Sequence, residues 1–297
     1  MTTRTEADPS AVASVPAVEP VPAASTDARQ RTPGAGASRL ADIGRGIGWA
    51  LVGCAVVVAL WQLAASRSAD VPTPAEGART LVEMLSDPFY DNGPNDKGIG
   101  RQLSISLQRV FTGFALAAVV GVLAGLVIGA SRRAWLAFNP VVQVLRPVSP
   151  LAWFPICLAV LKDAAQASVF VIFITALWPT LINTAAGIAD IPRDHRNVAR
   201  VFRFGRIAYL RHVLVPNALP SIITGLRLSM GIAWMVIVAV EMLSGNSGIG
   251  FFVWDSYNAG RLSAVVGAIV LIGLVGLVLD MILLRISRRV AIEEVHT

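Results

Sequence analysis

Charged side chains lie inside several strongly apolar stretches of this sequence, and their chemistry is that of an ion pathway. The set comprises the arginines Arg109, Arg146 and Arg227 and the carboxylate Glu241. An ionisable group at membrane depth faces a bundle interior or an aqueous cavity, and it commonly marks the route of an ion or substrate. Because the arginines outnumber the carboxylate, they predict a site that attracts an anion. Arg227 has an alternative interpretation, since it lies two turns after Pro220 and its side chain could extend to the membrane surface.

Arg227 and Glu241 are predicted to share one face of a single helix. They are fourteen residues apart, and at about 100° per residue the second side chain returns to within about 40° of the first, about 21 Å along the axis. Trp234 and Gly231 lie near this face, which we expect to line a central pathway. We place Arg227 near the inner mouth, where it draws the anion inward. Glu241, the only carboxylate that we assign to the core of a span, is expected at the outer gate, paired with a cation on a neighbouring helix.

No motif in the chain predicts an enzyme. The phosphate-binding sequence Gly-x-x-x-x-Gly-Lys-Ser/Thr does not occur, and the glycine-rich stretch 245–250 lacks the lysine. We therefore expect that this chain does not bind ATP in the usual way. The three histidines form no metal-binding pattern, and no nucleophile, base and acid are arranged for catalysis. Cys54 and Cys157 lie in separate apolar stretches and are interpreted as packing residues.

The elements that must position these side chains are membrane helices. Of the 297 residues, 55% are hydrophobic and 15% are charged, and the mean hydropathy is +0.64, which is typical of a polytopic membrane protein. The net charge of +6 reflects arginines between apolar spans and does not indicate nucleic-acid binding. We predict an all-α fold with six transmembrane helices at about residues 47–65, 102–130, 140–161, 167–189, 220–243 and 263–286. Residues 1–46 are predicted to be a disordered tail, 190–219 a loop, and 287–297 a short tail.

The third predicted span is interrupted by prolines. Pro147, Pro150 and Pro155 fall in an otherwise apolar stretch, and irregular backbone at membrane depth persists only where it is buried in protein or faces a cavity. We interpret the stretch as a broken helix that lines the pathway, with Arg146 and Ser149 as polar groups at the break. The alternative is a cytoplasmic loop followed by a shorter span.

Small residues in the second span predict close packing against a neighbouring helix. Gly113, Gly121, Gly125 and Gly129 are separated by multiples of four residues. Small residues at this spacing lie on one helix face and let two helices approach closely in lipid.

A basic amphipathic segment precedes the fifth span. Its apolar residues recur at three- and four-residue spacings between arginines, which predicts a surface helix or helix pair with one apolar stripe. The stripe comprises Val198, Val201, Phe202, Ile207, Leu210, Val213 and Leu214. Pro216 and Pro220 are predicted to stop this helix, so that the next one restarts near Pro220 at an angle. Alternatively, the segment is a solvated basic helix on anionic lipid headgroups.

This segment resembles the cytoplasmic loop of permease subunits in binding-protein-dependent ABC importers, which carries Glu-Ala-Ala, a glycine four residues on, and then Ile-x-Leu-Pro. Aligned on Pro216, the triplet falls on residues 197–199, the glycine on Arg203 and the isoleucine on Val213; Ala199 and Pro216 match strictly. The resemblance implies a type I importer fold with a coupling helix, and we call residues 197–216 the coupling segment. By this resemblance, the residues that contact the ATPase are Asn197, Val198, Ala199, Phe202, Arg203, Gly205, Val213 and Pro216.

Two further stretches are similar to the nitrate, nitrite and cyanate branch of this family. They are ALPSIITGLRLSMGIAWMVIVAVEML, from Ala218, and SGIGFFVWDSYNAG, from Ser247. The resemblance covers residues 64–297 and implies a permease homodimer in the bacterial inner membrane, with a separate ATPase that binds ATP and Mg²⁺ and a solute-binding protein outside. It implies nitrate as the substrate, with nitrite or cyanate, and bicarbonate or an organic sulfonate as alternatives. A self-sufficient secondary carrier is a further alternative, but it would need inverted repeats, and we find none.

The placement of charge predicts the orientation. Most Lys and Arg residues lie in the N-terminal tail, at Arg132 and Arg133, in the loop 190–219 and near the C-terminus, whereas the remaining segments combine few cations with acids such as Glu76 and Asp96. Cytoplasmic segments carry the excess of Lys and Arg in multi-pass proteins. Both termini are therefore predicted to be cytoplasmic.

Overall fold

Helices make up nearly all of the architecture. The computed structural model describes residues 35–68, 70–93, 96–192 and 201–293, and within these ranges β-structure is limited to one isolated bridge between Asp91 and Lys97. The helices are α1 (Ala35–Arg67), α2 (Pro74–Ser86), α3 (Ile99–Ala130), α4 (Arg132–Leu145), α5 (Pro150–Leu161), α6 (Ala164–Ala189), α7 (Arg206–Tyr209), α8 (Val215–Ser244), α9 (Ile249–Asn258) and α10 (Leu262–Glu293). A π-helical turn, Leu210–Leu214, joins α7 to α8.

Membrane-spanning capacity is concentrated in the long helices. Within the described ranges, five helical stretches are long and apolar enough to cross a bilayer: Gly44–Arg67, Ile99–Ala130, Ala164–Ala189, Ile207–Ser244 and Leu262–Arg288. The pair α4 and α5, bent by 94°, would make a sixth. The predicted all-α, polytopic fold is confirmed.

The chain divides into two units between Val57 and Val58. In the first unit the structure describes residues 35–57 of α1, where large apolar side chains such as Trp49 and Val57 are 71% and 65% exposed. A continuous apolar helix surface of this kind suits a lipid environment. Helix α1 begins at Ala35, twelve residues before the predicted start of the first span, because helical geometry extends beyond its apolar stretch. The disordered tail was predicted to include residues 1–46; residues 35–46 are helical instead, and residues 1–34 lie outside the described residues.

In the second unit, α3, α6 and α8 pack side by side around an apolar core. Val110 of α3, Ile172 and Ala176 of α6, and Ala233 and Ile237 of α8 have no exposed surface and form one cluster. Small and β-branched side chains dominate this contact, so the three helix backbones lie close together. This three-helix core is the scaffold that holds the buried charges described below.

The glycine stripe of α3 forms the closest part of the contact with α6. A Cβ atom added at Gly125 would lie 2.6 Å from Cβ of Thr184, and one added at Gly113 would lie 2.8 Å from Cβ of Ile172. Real Cβ atoms do not approach other carbon atoms at these distances, so the backbones could not keep this separation with larger residues. The predicted close packing of this helix is therefore explained by direct contact with α6.

Gly125→Val is expected to destabilise the protein because the new side chain must displace α6. Overpacking of a well-packed contact typically costs about 1–3 kcal/mol. The matched control is Gly273→Val on α10, where a Cβ atom would meet nothing within 4 Å, so that the intrinsic cost of valine in a helix is the same. The thermal unfolding midpoints of the two purified variants in detergent measure the difference. Equal midpoints would show that the contact between α3 and α6 tolerates larger residues.

The prolines before the fifth span do not break the helix, and that prediction is wrong. Helix α8 starts at Val215 and contains both Pro216 and Pro220. Pro216 lies in the first turn, where its missing N–H has no partner to lose within α8. In the preceding turn the N–H of Val215 donates to the carbonyl of Leu210, five residues back, and this wider π-helical turn makes room for the proline ring. A continuous helical path thus leads from Arg206 to Ser244.

The segment between α1 and α3 contains a short capped helix. Thr73 caps α2, and a capping box pairs it with Glu76. The backbone N–H of Thr73 donates to the Glu76 carboxylate at 2.8 Å and holds the pKa of this carboxyl below its usual value. Helix α2 packs against α10, where Gly77 lies beside Val266. After α2, the Pro88 carbonyl accepts the Gly100 N–H at 2.7 Å and so holds the segment against the start of α3, which carries the first buried charge.

Candidate functional site

Arg109 of α3 and Glu241 of α8 form a buried ion pair. Nη1 of Arg109 lies 2.8 Å from Oε1 of Glu241, and the two side chains are 8% and 0% exposed. The guanidinium also donates to the carbonyl and the hydroxyl oxygen of Ser247, at 2.7 and 2.9 Å. Two opposite charges so fully removed from water persist only when each has further hydrogen bonds. The cation on a neighbouring helix that we expected beside Glu241 is thus Arg109.

The same carboxylate holds the N-terminus of α9. Oε2 of Glu241 accepts hydrogen bonds from the Ser106 hydroxyl at 2.7 Å and from the Gly250 N–H at 3.1 Å. The Gly248 N–H donates to the side chain of Gln102 at 2.7 Å, and the Ile249 N–H donates to the Ser106 hydroxyl at 2.8 Å. These are the N–H groups that a helix leaves without internal partners. We call this set, comprising Gln102, Ser106, Arg109, Glu241, Ser247 and the backbone of 248–250, the Glu241 network.

Glycines make this arrangement possible. Gly248 has a φ of 111°, and a Cβ atom there would clash with the carboxylate of Glu241. A Cβ atom at Gly250 would meet the carbonyl oxygen of Val238. Both residues must therefore be glycine for α9 to approach α8.

Sequence reasoning identified Arg109 and Glu241 but missed Gln102 and Ser106, although residues 102, 106 and 109 share one helix face of an otherwise apolar span.

Arg227 of α8 pairs with Asp280 of α10. Nε and Nη2 of Arg227 donate to the two carboxylate oxygens of Asp280 at 2.7 and 2.8 Å, in a bidentate contact. The side chains are 39% and 48% exposed. Our assignment of Glu241 as the only carboxylate in a span is therefore wrong. Asp280 also lies within a predicted span, 263–286, and the packing of α10 on α8 places it where it neutralises Arg227.

Trp234 and Gly231 lie beside this second pair. With Arg227 and Asp280 they border a cavity of about 220 Å³ between α8 and α10. The indole N–H of Trp234 donates to the carbonyl of Ile272 at 3.1 Å, so this residue is partly a contact between the helices. Glu241 instead faces α3 and α9. The two charged groups of α8 therefore lie in different environments, although they share a helix face.

Arg146 and Ser149 lie at the bend between α4 and α5. Arg146 follows the last residue of α4 and Ser149 precedes the first residue of α5. Pro147 falls in the break and Pro150 begins α5, whereas Pro155 lies inside α5 without ending it, which corrects our expectation that all three prolines interrupt the span. Pro155 is the sixth residue of α5, so the helix continues past it without the hydrogen bond to the Leu151 carbonyl.

The contacts of α4 and α5 favour a broken span over a cytoplasmic loop. Val142 of α4 packs with Leu181 and Ala185, in the second half of α6. Phe154 and Cys157 of α5 pack with Ala167 and Val171, in its first half. The pair therefore follows α6 along most of its length, with the bend near the middle.

The coupling segment presents an exposed apolar surface. Val201, Phe202 and Ile207 are 77%, 70% and 80% exposed, and the rings of Phe202 and Phe204 are 6.4 Å apart. Asn197, Val198 and Ala199 lie outside the described residues. Gly205 and Pro216 are exposed. A contiguous exposed apolar surface marks a contact with another protein or with the membrane.

Val213 and Leu214 differ from the rest of the predicted stripe. They are only 8% and 7% exposed, and Leu214 packs with Ile188 and Ile191 at the end of α6. Because they anchor the coupling segment to the helical core, they are not part of its exposed surface.

Arg203, aligned with the glycine of the family motif, has a φ of 51°, a left-handed conformation that glycine adopts readily.

The predicted pathway residues thus occupy three separate places within the described chain. Arg109 and Glu241 meet in the Glu241 network, Arg227 and Trp234 border the cavity beside Asp280, and Arg146 and Ser149 lie at the bend. The structure does not bring the six residues into one site.

Comparison with known proteins shows the family. Residues 107–292 match the family described as "Binding-protein-dependent transport system inner membrane component". The chain is 46% identical over 230 residues to the nitrate import permease protein NrtB of Synechocystis sp., covering 77% of this chain and 84% of the relative. It is 44% identical over 234 residues to the bicarbonate transport system permease protein CmpB of Synechococcus elongatus, covering 77% and 84%.

A solved structure supports the fold. The inward-facing MetNI methionine ABC transporter matches with a TM-score of 0.57 at 17% identity, covering 64% of this chain and 94% of that one. The helical architecture, the multi-pass pattern and the family match agree. The chain therefore belongs to the family of inner membrane components of binding-protein-dependent transport systems, as the permease subunit of an ABC importer whose ATPase is a separate subunit.

Proposed function

We propose that this chain imports nitrate, together with nitrite or cyanate, as the permease subunit of its ABC importer. The observation that carries the proposal is its identity of 46% with a nitrate import permease over 77% of the chain. Arginines at membrane depth agree with an anionic substrate. Bicarbonate is the second candidate, because a bicarbonate permease is 44% identical over the same share of the chain.

We propose a homodimer with both termini in the cytoplasm. Arg132 and Arg133, the coupling segment, and Arg285 and Arg288 would then all lie on the cytoplasmic side, as the excess of cations favours. The exposed surface formed by Val201, Phe202 and Ile207 is the proposed contact with the ATPase, which supplies the bound ATP and Mg²⁺. A solute-binding protein would deliver the anion at the opposite side.

The proposed pathway uses residues at different depths. Glu241 and Arg109 close the pathway at its outer side. The Glu241 carboxylate accepts the hydrogen bonds of the Glu241 network. Arg227 and Trp234 lie toward the inner mouth, and Arg146 and Ser149 lie between these levels. An ion pair that is 39% and 48% exposed, as Arg227 and Asp280 are, is costly against lipid, which supports an aqueous or protein-covered face.

Uptake measurements test the substrate. Cells that lack the chain are complemented with it, and the uptake of labelled nitrate, bicarbonate and taurine is compared. Nitrate uptake that depends on the chain and on ATP is the expected result. Chain-dependent uptake of bicarbonate or taurine without nitrate uptake would overturn the assignment of nitrate.

Cysteine accessibility tests the inner part of the pathway. Gly231→Cys adds a side chain where a Cβ atom meets nothing within 4 Å, beside Arg227, whereas Val240→Cys lies next to Glu241 at a position that is 0% exposed. With Cys54 and Cys157 replaced by serine, a membrane-impermeant thiol reagent applied to the purified importer in nanodiscs should modify Gly231→Cys at least about tenfold faster, because thiol reactivity requires access. Equal and negligible rates in every nucleotide state would place this face against lipid or a dry interface.

A further inference from the structure

The charges at membrane depth are not all neutralised in the same way. Arg109 has Glu241 as its counterion and Arg227 has Asp280. Arg146 forms no ion pair with any residue in the described ranges, and its side chain donates no hydrogen bond to them. An unpaired arginine within a span is costly unless an anion or water accompanies it. Of the three arginines predicted to line the pathway, Arg146 is therefore the one whose guanidinium remains available to a ligand.

Arg146 borders a cavity of about 240 Å³, with Trp153, Thr175, Trp178 and Ile232 among its other lining residues. Thr175 is the twelfth of the 26 residues of α6, so it lies about 17 Å along a helix about 39 Å long. Ile232 is the eighteenth of the 30 residues of α8. The cavity thus lies near mid-depth, where lipid headgroups cannot neutralise the arginine.

The aromatic walls of this cavity carry free hydrogen-bond donors. The indole N–H groups of Trp61 and Trp234 donate to backbone carbonyls, whereas those of Trp153 and Trp178 have no acceptor among the described residues. Thr175 contributes no free donor, because its hydroxyl donates to the carbonyl of Val171 at 2.7 Å. Indole N–H groups can only donate, so the free polar groups of the arginine and the two tryptophans all suit an anion.

We propose that Arg146, Trp153 and Trp178 form an anion-binding subsite at the bend between α4 and α5. This inference rests on the proposed function and names where the anion is held during passage. The planar guanidinium forms paired hydrogen bonds with two oxygens of an oxyanion, and each indole N–H can donate one more. A cavity of about 240 Å³ is many times the roughly 10–15 Å³ that one water molecule needs on the same measure. It suits one small oxyanion with part of its hydration water.

The charge of the subsite is measured with a cysteine reporter. Thr175→Cys is introduced into the full importer, complete with its ATPase and binding protein, after Cys54 and Cys157 are replaced by serine. Rates of modification by an anionic and a cationic thiosulfonate of similar size are compared. Adding Arg146→Gln should lower the ratio of anionic to cationic rates roughly tenfold, because a full charge near the cysteine is removed. Arg133→Gln, an exposed arginine at the start of α4, is the matched control and should leave the ratio unchanged.

Anion binding itself is measured by protection of the reporter. Nitrate should slow modification of Thr175→Cys more than gluconate at equal ionic strength, and Trp178→Phe, which keeps the ring and removes the N–H, should weaken this protection several-fold. Trp254→Phe on α9, 43% exposed in the parent, is its control. Ile232→Cys provides a second reporter if Thr175→Cys does not assemble.

The outcomes separate the two proposals. If the unmodified importer takes up no nitrate, the proposed function fails. If it takes up nitrate but Arg146→Gln changes neither the charge selectivity nor nitrate uptake, the subsite is overturned and the function stands. Reporters that react with neither reagent in any nucleotide state would also overturn the subsite, since water would not reach the cavity.

Discussion

Glu241→Gln is expected to lower the thermal unfolding midpoint of the permease by roughly 6–20 °C, because breaking a buried ion pair costs about 3–5 kcal/mol. The substitution leaves Arg109 charged, 8% exposed and without its counterion. The amide can still accept from Ser106, but it cannot offset the positive charge. Purified protein in detergent is heated, and unfolding is followed by intrinsic fluorescence.

Two controls separate the charge from other effects. Glu83→Gln removes the exposed pair with Arg79, whose side chains are 84% and 63% exposed, and exposed pairs contribute only about 0–1 kcal/mol. Arg109→Gln combined with Glu241→Gln removes both buried charges, and it should recover part of the loss, since coupled residues are not additive. A double variant as unstable as the sum of the single ones would show that the pair is not coupled.

The Glu241 network also leads to a prediction about the rate of ATP hydrolysis. Its carboxylate accepts a hydrogen bond from the Gly250 N–H at the start of α9, so weakening this bond should loosen that end of the bundle, which is the outer end in the proposed orientation. Under the proposed function, Glu241→Gln should therefore raise ATP hydrolysis in the absence of the binding protein. Proteoliposomes that contain the importer measure this rate directly. Unchanged basal hydrolysis in a variant that assembles would limit the network to a structural role.

The sequence predicts the helices because apolar stretches of this length have few other structures. Helices α3 and α6, Ile99–Ala130 and Ala164–Ala189, lie within three residues of the predicted spans because the apolar pattern and the flanking charges agree there. Helix α10, Leu262–Glu293, starts within one residue of its predicted span but continues seven residues beyond it. The continuity of α8 was not predictable from proline content alone. It depends on the π-helical turn at Leu210–Leu214, which no residue pattern predicts.

The partners of buried charges are harder to infer than the charges themselves. Arg109 and Glu241 are 132 residues apart, and Arg227 and Asp280 are 53 apart, so each pair depends on which helices are neighbours. Arg227 and Glu241 share a face of α8, yet α10 covers one and α3 with α9 covers the other. Helical periodicity gives the direction of a side chain but not the element that lies there.

Phe202→Asp is expected to disconnect the permease from its ATPase while leaving the membrane domain folded. Phe202 is 70% exposed, and its ring lies 6.4 Å from that of Phe204, so replacing it with a polar residue leaves no cavity in the core. If this ring enters a cleft of the ATPase, the substitution buries an unpaired charge in a packed contact. Truncating a central aromatic residue of an interface costs about 2–4 kcal/mol, which is roughly a 30- to 1,000-fold loss of affinity.

The matched control is Phe89→Asp, because Phe89 is 66% exposed but lies between α2 and α3, on the side opposite the coupling segment in the proposed orientation. Both variants should insert, unfold at similar temperatures and behave alike in detergent. Only Phe202→Asp should lose co-purification of the ATPase and ATP-dependent uptake, and Ile207→Asp, at a position that is 80% exposed, should repeat the loss. Normal co-purification and uptake with both coupling-segment variants would show that the exposed apolar surface rests on lipid, as the basic composition of the segment alone would suggest. Loss of uptake with the ATPase still bound would instead mean that Phe202 transmits motion without contributing to affinity, because docking and coupling are separable steps.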